Sequence, residues 1–468
     1  MSGDILALDV GTSVLKVGVF SPALEQLAGT QRTYAPRVND QGWADIEPEA
    51  WWSAIRDACA ELRSDLARVE VVAPSVTTPG LTAIDADGSA LAPAILFFDG
   101  RSSEQAARIR GMVGEDFFLR ETCNLPVSGG SSLASILWLR EQRPDVWARA
   151  ALFGHCNTYL VGRLTGRWAI DPSTTSITGL YNTAANDLTW NSRVLHLSGI
   201  GMDRLPQLVP SHAPVGRVTE SAAAELGLPR RPVVLCGGND AVLAALSGGV
   251  TEAGDVTIIS GTCDIASVCI DHPIAAADFN VRCHAVSDRW LTFFVLNAGG
   301  EALAWFHQTL CPDLDEGTFY GDYVPGVVRR FLADPAADAR EAALPGYVPY
   351  LAGSRYSLER RTASLDGLSV ATTRDDILLS IIRGNFAYLG DNLRTVGQLV
   401  PLNHRASISG GAAAIPGLLA ARRRWTGDFD YVLRPQSSLL GAAMLGQLYQ
   451  SEVATPGDAA VRTSMEAV

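Results

Sequence analysis

A strand, a Gly-Thr turn and a second strand occur twice in this 468-residue chain, with Gly11 and Gly261 at corresponding places 250 positions apart. The first copy sets Gly11-Thr12-Ser13 between apolar runs at 5–10 and 14–20, and the second sets Gly261-Thr262-Cys263 between 256–260 and 264–269. Such a turn gathers N–H groups and hydroxyls where no Cβ intervenes, which suits phosphate oxygens. Its recurrence at domain-scale spacing predicts two similar domains clasping one nucleotide between them. A pair of ordinary β-hairpins is the plain alternative, since Gly-Thr turns are common.

The copies differ in their charges. Asp9 and Lys16 of the first become Ile259 and Ala266 in the second, and Lys16 is the only lysine, the other 36 basic residues being Arg. Asp9 would hold a cation and Lys16 would add a point charge for phosphate. The first hairpin is therefore expected to manage metal and charge, the second mainly backbone and hydroxyl donors.

A formal net charge of −13 argues against nucleic acid and anionic membranes as partners, so any phosphate site must be local. No run approaches the length of a membrane span, and the first strand begins at once, which predicts a cytoplasmic protein. The eight cysteines form no C-x-x-C pair and have no His at zinc-ligand spacing, so they read as buried, reduced thiols.

Strand-like and helix-like stretches alternate, the pattern of an α/β fold. An apolar strand at 231–236 feeds Gly237-Gly238-Asn239-Asp240, a helix follows at 241–246, and Ser247-Gly248-Gly249 ends it. The expected division is a first domain over 1–246, a second over 247–450 and a loose tail over 451–468. Asp240 stands at the carboxyl end of a strand, where α/β sheets bind ligands; it could accept a hydroxyl proton or cap its helix. Asp99 and Arg101 could bind a polar substrate or form an ion pair in a surface turn. Gly410-Gly411 could lie flat against adenine or ribose, although a strand–turn–helix junction explains the pair equally well.

In order, Asp9 to Lys16, Trp43 with Pro48-Glu49-Ala50-Trp51-Trp52, Pro93-Ala94-Ile95 before Asp99-Gly100-Arg101, Gly237 to Asp240, Gly261-Thr262, Gly346 to Gly353, Ser409 to Ala412 and Gly441-Ala442-Ala443 resemble the FGGY carbohydrate kinases, xylulokinases above all. The resemblance runs from about residue 4 to 448. It implies two ribonuclease-H-like domains of the actin-like ATPase fold around a central cleft. It also implies ATP and Mg²⁺ as cofactors, a small-molecule sugar or polyol as substrate, and admits a homodimer. On this resemblance Asp240 is the general base and Asp9 organises Mg²⁺. Gly11, Thr12, Ser13, Lys16, Gly261, Thr262, Gly300, Gly410 and Gly411 bind ATP, and Thr78, Asp99, Arg101, Asn239 and Asp240 face the sugar.

The chain also departs from the pattern. Thr78-Pro79 stands where xylulokinases carry the Met-His pair used on the sugar, removing a His donor and a backbone N–H. Gly353-Ser354-Arg355 replaces Gly-Glu-Arg, Ser409-Gly410-Gly411 replaces three glycines, and Cys263 replaces a serine in the second hairpin. The expected activity is phosphorylation of a five-carbon ketose such as xylulose, or of a pentitol. A nucleotide-dependent sugar sensor with little turnover and an actin-like ATPase without a sugar are the competing readings.

Overall fold

The computed structural model describes residues 3–286, 288–359, 361–434 and 437–454. The chain divides into two compact units, one of Met1–Ser247, His272–Trp290 and Ser437–Val468, the other of Gly248–Asp271 and Leu291–Gln436. This differs from a single cut near 246. The segment 272–290 and the last helix return to the first unit, a long-range choice to which local sequence pattern is blind.

In the first unit, β1 (Asp4–Val10), β2 (Val14–Phe20) and β3 (Gln26–Thr33) form an antiparallel meander. Helix α1 (Pro48–Glu61) follows, with Pro48 in its first turn, where a missing N–H costs nothing. β4 (Val69–Val76) lies parallel to β1. β5 (Pro214–Arg217), β6 (Val233–Leu235) and the two-residue β7 (Gly238–Asn239) complete the sheet, in the order β5-β6-β4-β1-β2-β3 with β7 beside β4. Helix α2 (Asp240–Ser247) leaves directly from β7.

In the second unit, β8 (Val256–Ser260) and β9 (Asp264–Ile270) form the second hairpin. With β10 (Trp290–Leu296), β11 (Arg405–Ser409) and β12 (Asp430–Leu433) the order is β10-β9-β8-β11-β12. β11 is parallel to β8 and β12 to β11. This repeats β3-β2-β1-β4-β6 of the first unit, so each unit is a ribonuclease-H-like sheet built around its own Gly-Thr hairpin. Helices α3 (Gly300–Leu310) and α4 (Arg374–Gly397) belong to the second unit; α5 (Ser437–Ala454) belongs to the first.

Strand alternation decides where the first unit's chemistry faces. Leu6, Leu8 and Val10 enter the core cluster that holds Trp51, Trp52 and Ile55 of α1. Ile5, Ala7 and Asp9 therefore face the opposite side, where α5 packs on β1. Gly441 of α5 permits that helix to approach α2, because a Cβ there would lie 2.0 Å from the Leu243 carbonyl oxygen. Of the tail expected from 451, residues 451–454 form the end of α5 and those from 455 lie outside the described residues.

Candidate active site

Asp240 owes its position to the glycines before it. Gly237 has φ of +76°, and a Cβ on it would lie 2.1 Å from the Pro74 carbonyl oxygen, so only glycine lets β6 run on this closely beside β4. β7 then pairs Gly238 and Asn239 with Ser75 and Val76. Asn239 Oδ1 accepts the Val242 N–H at 3.1 Å, which makes Asn239 the cap of α2. The capping alternative for Asp240 is thereby answered: its neighbour does that work. Asn239 Nδ2 donates to Thr78 Oγ1 at 2.8 Å and to Asp240 Oδ1 at 2.9 Å, and its backbone N–H donates to Ser173 Oγ at 2.9 Å. Ser173 in turn is held by Asp171, a buried carboxylate that also receives Ser211 at 2.8 Å and Asn157 at 3.2 Å.

Asp240 Oδ1 accepts the Ala241 N–H at 2.7 Å, and Oδ2 takes no hydrogen bond from a described residue. The residue as a whole is half-buried, and its carboxyl stands in dense surroundings. Burial first and the Asp9 charge second raise its pKa to about 6, against the pull of Arg282, the Ala241 N–H and Asn239. Asp9 is itself raised by burial, and Ser438, Lys16 and Ser75 oppose the shift. Ser75 Oγ donates to Asp9 Oδ1 at 3.1 Å and Ser438 Oγ to Oδ2 at 2.8 Å. Lys16 is the cross-strand partner of Asp9, so both side chains leave the same face of the hairpin.

The first hairpin is fixed by the Gly11 N–H donating to the Val14 carbonyl at 3.0 Å and by the Tyr34 hydroxyl donating to the Gly11 carbonyl at 2.7 Å. The N–H groups of Thr12 and Ser13 bond to no described residue. In the second unit Arg422 clamps the other hairpin, donating to Asp264 at 3.0 Å and to Ser260 at 2.6 Å. The Gly300 N–H donates to the Gly261 carbonyl at 2.8 Å, and a Cβ on Gly300 would lie 2.6 Å from that same oxygen. Gly300 thus seats α3 against the turn and spends its N–H in doing so. Gly410 has φ of +97° and no room for a Cβ, which would sit 2.2 Å from the Ser260 carbonyl; Gly411 has nothing within 4 Å of such a Cβ.

The geometry brings Asp9, Lys16, Thr78, Asn239 and Asp240 into one bonded or charge-coupled group in the first unit. Asp99 and Arg101 belong to a separate cluster. Asp99 accepts the Arg101 N–H and Nε at 2.8 Å and the Ala44 N–H at 2.5 Å, while Arg101 also pairs with Asp45 at 2.9 Å. The guanidinium lies against both Trp43 and Trp138, 4.9 and 5.2 Å from the ring centroids, the two rings themselves meeting edge to face at 5.5 Å. This ion pair is buried rather than in a surface turn: Arg101's side chain is 7% exposed and Asp99's 0%.

Three contributors escaped the sequence reading: Ser173, Ser438 and Arg282. Arg282 Nη1 donates to Thr78 Oγ1 at 3.3 Å, and its charge acts on both Asp240 and His155. Its strand, Asn280–Cys283, is tied down by Asn124, which accepts the Val281 N–H at 2.9 Å and donates to the Val281 carbonyl at 2.7 Å. His155 is held neutral: burial and then Arg282 lower its pKa to about 3.

Residues 5–247 match the N-terminal domain of the FGGY family of carbohydrate kinases. The chain belongs to that family. This FGGY chain is 26% identical over 417 residues to a xylulose kinase of Staphylococcus xylosus, covering 87% of this chain and 83% of that one. A gluconokinase of Bacillus subtilis is 25% identical over 391 residues, covering 82% and 75%. The solved structure of a ligand-bound xylulose kinase from Lactobacillus acidophilus shares the fold with a TM-score of 0.86 at 18% identity, over 97% of this chain and 90% of that one. As an FGGY member the chain is a carbohydrate kinase, which sets aside the sensor and the actin-like ATPase. No helix among the described residues is long and apolar enough to cross a membrane.

Proposed function

We propose that Asp240 is the general base in transfer of the ATP γ-phosphoryl group to a hydroxyl of a small sugar or polyol. The observation that carries this reading is a carboxylate with one oxygen pinned by Asn239 and Ala241, the other unengaged by described residues, and a pKa raised by burial to about 6. A base tuned close to working pH is ionised when the acceptor arrives, yet basic enough to take its proton. Phosphoryl transfer otherwise needs positioning and charge neutralisation rather than a covalent intermediate.

Asp9 is the proposed Mg²⁺ residue. Among the described residues no group of three or more His, Cys, Asp or Glu is arranged to hold a metal. One carboxylate, with phosphate oxygens and water completing the shell, is the usual way Mg²⁺ binds with a nucleotide. When bound, the ion would neutralise phosphate charge. Thr12, Ser13 and Lys16 would supply donors and a cation beside Asp9; Gly11 would allow close approach. Gly261, Thr262, Gly410 and Gly411 are the proposed nucleotide residues of the second unit, with Gly300 supporting the Gly261 turn. Thr78 and Asn239 would orient the sugar, and Asp99 with Arg101 would brace the substrate side of the unit.

Similarity to xylulose kinases suggests a five-carbon ketose or pentitol as acceptor. A cytoplasmic homodimer without nucleic-acid partners belongs to the same proposal. The test is ADP release from Mg-ATP across a panel of ketoses, aldoses, polyols and aldonic acids, with Asp240→Asn alongside. Acceptor-stimulated turnover abolished in the variant is the expected result; stimulation that survives in Asp240→Asn would remove Asp240 from the role.

A further inference from the structure

Ser260 and Asp264 are cross-strand partners at the base of the second hairpin, with only Gly261-Thr262-Cys263 between them. Both are buried, and Ser260 Oγ donates to Asp264 Oδ1 at 2.7 Å. The other carboxylate oxygen receives Arg422 Nη2 at 3.0 Å, and the same nitrogen donates to Ser260 Oγ at 2.6 Å. One guanidinium nitrogen thus engages both strands of the hairpin, from the helix Leu418–Trp425, with Arg422 standing 158 positions beyond Asp264. Arg422 is 1% exposed, its guanidinium lies 4.0 Å from the Phe386 ring centroid, and its Nη1 has no hydrogen-bond partner. Stability alone does not account for such a pair, because apolar side chains of similar volume commonly serve a core as well as a buried ion pair does.

The turn above this clamp offers donors. Its three carbonyls are engaged: Gly261 accepts the Gly300 N–H at 2.8 Å, Thr262 the Gly299 N–H at 2.9 Å and Cys263 the Gly261 N–H at 2.9 Å. The N–H groups of Thr262 and Cys263 bond to no described residue, and Thr262 is exposed. Donors suit phosphate, but a carboxylate at the base of the same short turn repels it, and low-dielectric surroundings lengthen the reach of that charge. Asp264 is also walled in, since a Cβ on Gly299 would lie 2.6 Å from its backbone N and 2.7 Å from its carboxyl carbon. The first hairpin carries its own cation in Lys16, whereas the second has Ala266 at that place. Its balancing charge comes from Arg422. We propose that Arg422 is a positioning residue of the nucleotide site in the second unit: it cancels the Asp264 charge and fixes the base of the turn, so that the Thr262 and Cys263 donors meet phosphate without a competing carboxylate. The inference rests on the reading of Gly261 and Thr262 as nucleotide residues.

Calorimetric binding of the Mg²⁺ complex of β,γ-imido-ATP tests it, with a thermal melt of each protein to verify folding. Arg422→Gln keeps an amide donor for Ser260 and Asp264 but removes the charge, and its Kd should rise about tenfold or more, the scale of one poorly screened charge close to phosphate. Asp264→Asn keeps the cation and removes the anion, so it should bind the nucleotide more tightly than the unaltered protein. The double variant Arg422→Gln/Asp264→Asn should recover most of the affinity lost in Arg422→Gln. A pair that only braced the strands would instead give losses of the same sign in both single variants, which overturns the inference, as does an unchanged Kd in a folded Arg422→Gln protein. Should Arg422→Gln fail to fold, Asp264→Asn decides alone, and equal or weaker binding there overturns the proposal. Thr262→Asp sets a carboxylate on the turn itself. If it leaves the Kd unchanged, the hairpin is not a nucleotide site and the underlying reading falls as well; a loss in Thr262→Asp with none in Arg422→Gln removes the role of Arg422 alone.

Discussion

Replacing Asp240 with Asn is expected to abolish phosphorylation and to stabilise the protein. The folded protein raises this carboxyl from its ordinary 3.8 to about 6, so the folded state binds the proton more tightly than the unfolded chain. Below the unfolded value the group is neutral in both states and costs nothing. As pH rises through the folded value the carboxylate must ionise in place, and stability is lost by about 1.4 kcal/mol for each pKa unit between the two, or about 3 kcal/mol in all. Asn is nearly isosteric, stays neutral, and its amide oxygen can still accept the Ala241 N–H. Thermal melts of both proteins from pH 4 to pH 8 are the assay. The variant's midpoint should coincide with that of the unaltered protein near pH 4 and exceed it by several degrees at pH 7.5. A variant that melts earlier at pH 7.5, or an advantage that does not grow with pH, would refute the view that Asp240 is held against its own solvation.

The same pKa predicts an acid limb in kcat/KM near pH 6, falling about tenfold per unit below it, and loss of the opposing Arg282 charge in Arg282→Gln should move that limb to higher pH. Ser173→Ala removes the acceptor for the Asn239 N–H and one donor to Asp171, so it should cost on the order of 1–3 kcal/mol in unfolding free energy and lower kcat. Gly237→Ala meets the Pro74 carbonyl from a left-handed backbone and should destabilise by on the order of 2–4 kcal/mol, read by denaturant unfolding. Gly411→Ala enters open space, so it should fold normally, and a rise in KM for ATP would then report nucleotide contact at that face.

Features made by near neighbours were legible in the sequence. The hairpin at Gly11 is closed by a bond from Gly11 to Val14, and the Asp240 junction is made by Gly237, Asn239 and Val242 within a few positions. Residue type and spacing carry such information because the bonds span only a few residues. The assignment of 272–290 was not legible. Nothing nearby says that Asn280–Cys283 will be tied to Asn124, 157 positions from Val281. Asp99 and Arg101 were visible as an ion pair, but their burial depends on Trp43 and Trp138, from distant stretches of chain, packing against the guanidinium.

By itself the sequence determined that two hairpin-centred α/β domains would form, and which carboxylates were available for metal and proton chemistry. Tertiary structure decided how those carboxylates behave. Asp9 receives a hydroxyl from Ser438, 429 positions on, and Thr78 receives Arg282 from 204 positions on. Asp240 is tuned by burial, by Asp9 and by Arg282, groups drawn from three distant stretches of chain. Burial and charge act through space and fall off over a few ångströms, so a shifted pKa exists only once folding has brought those stretches together.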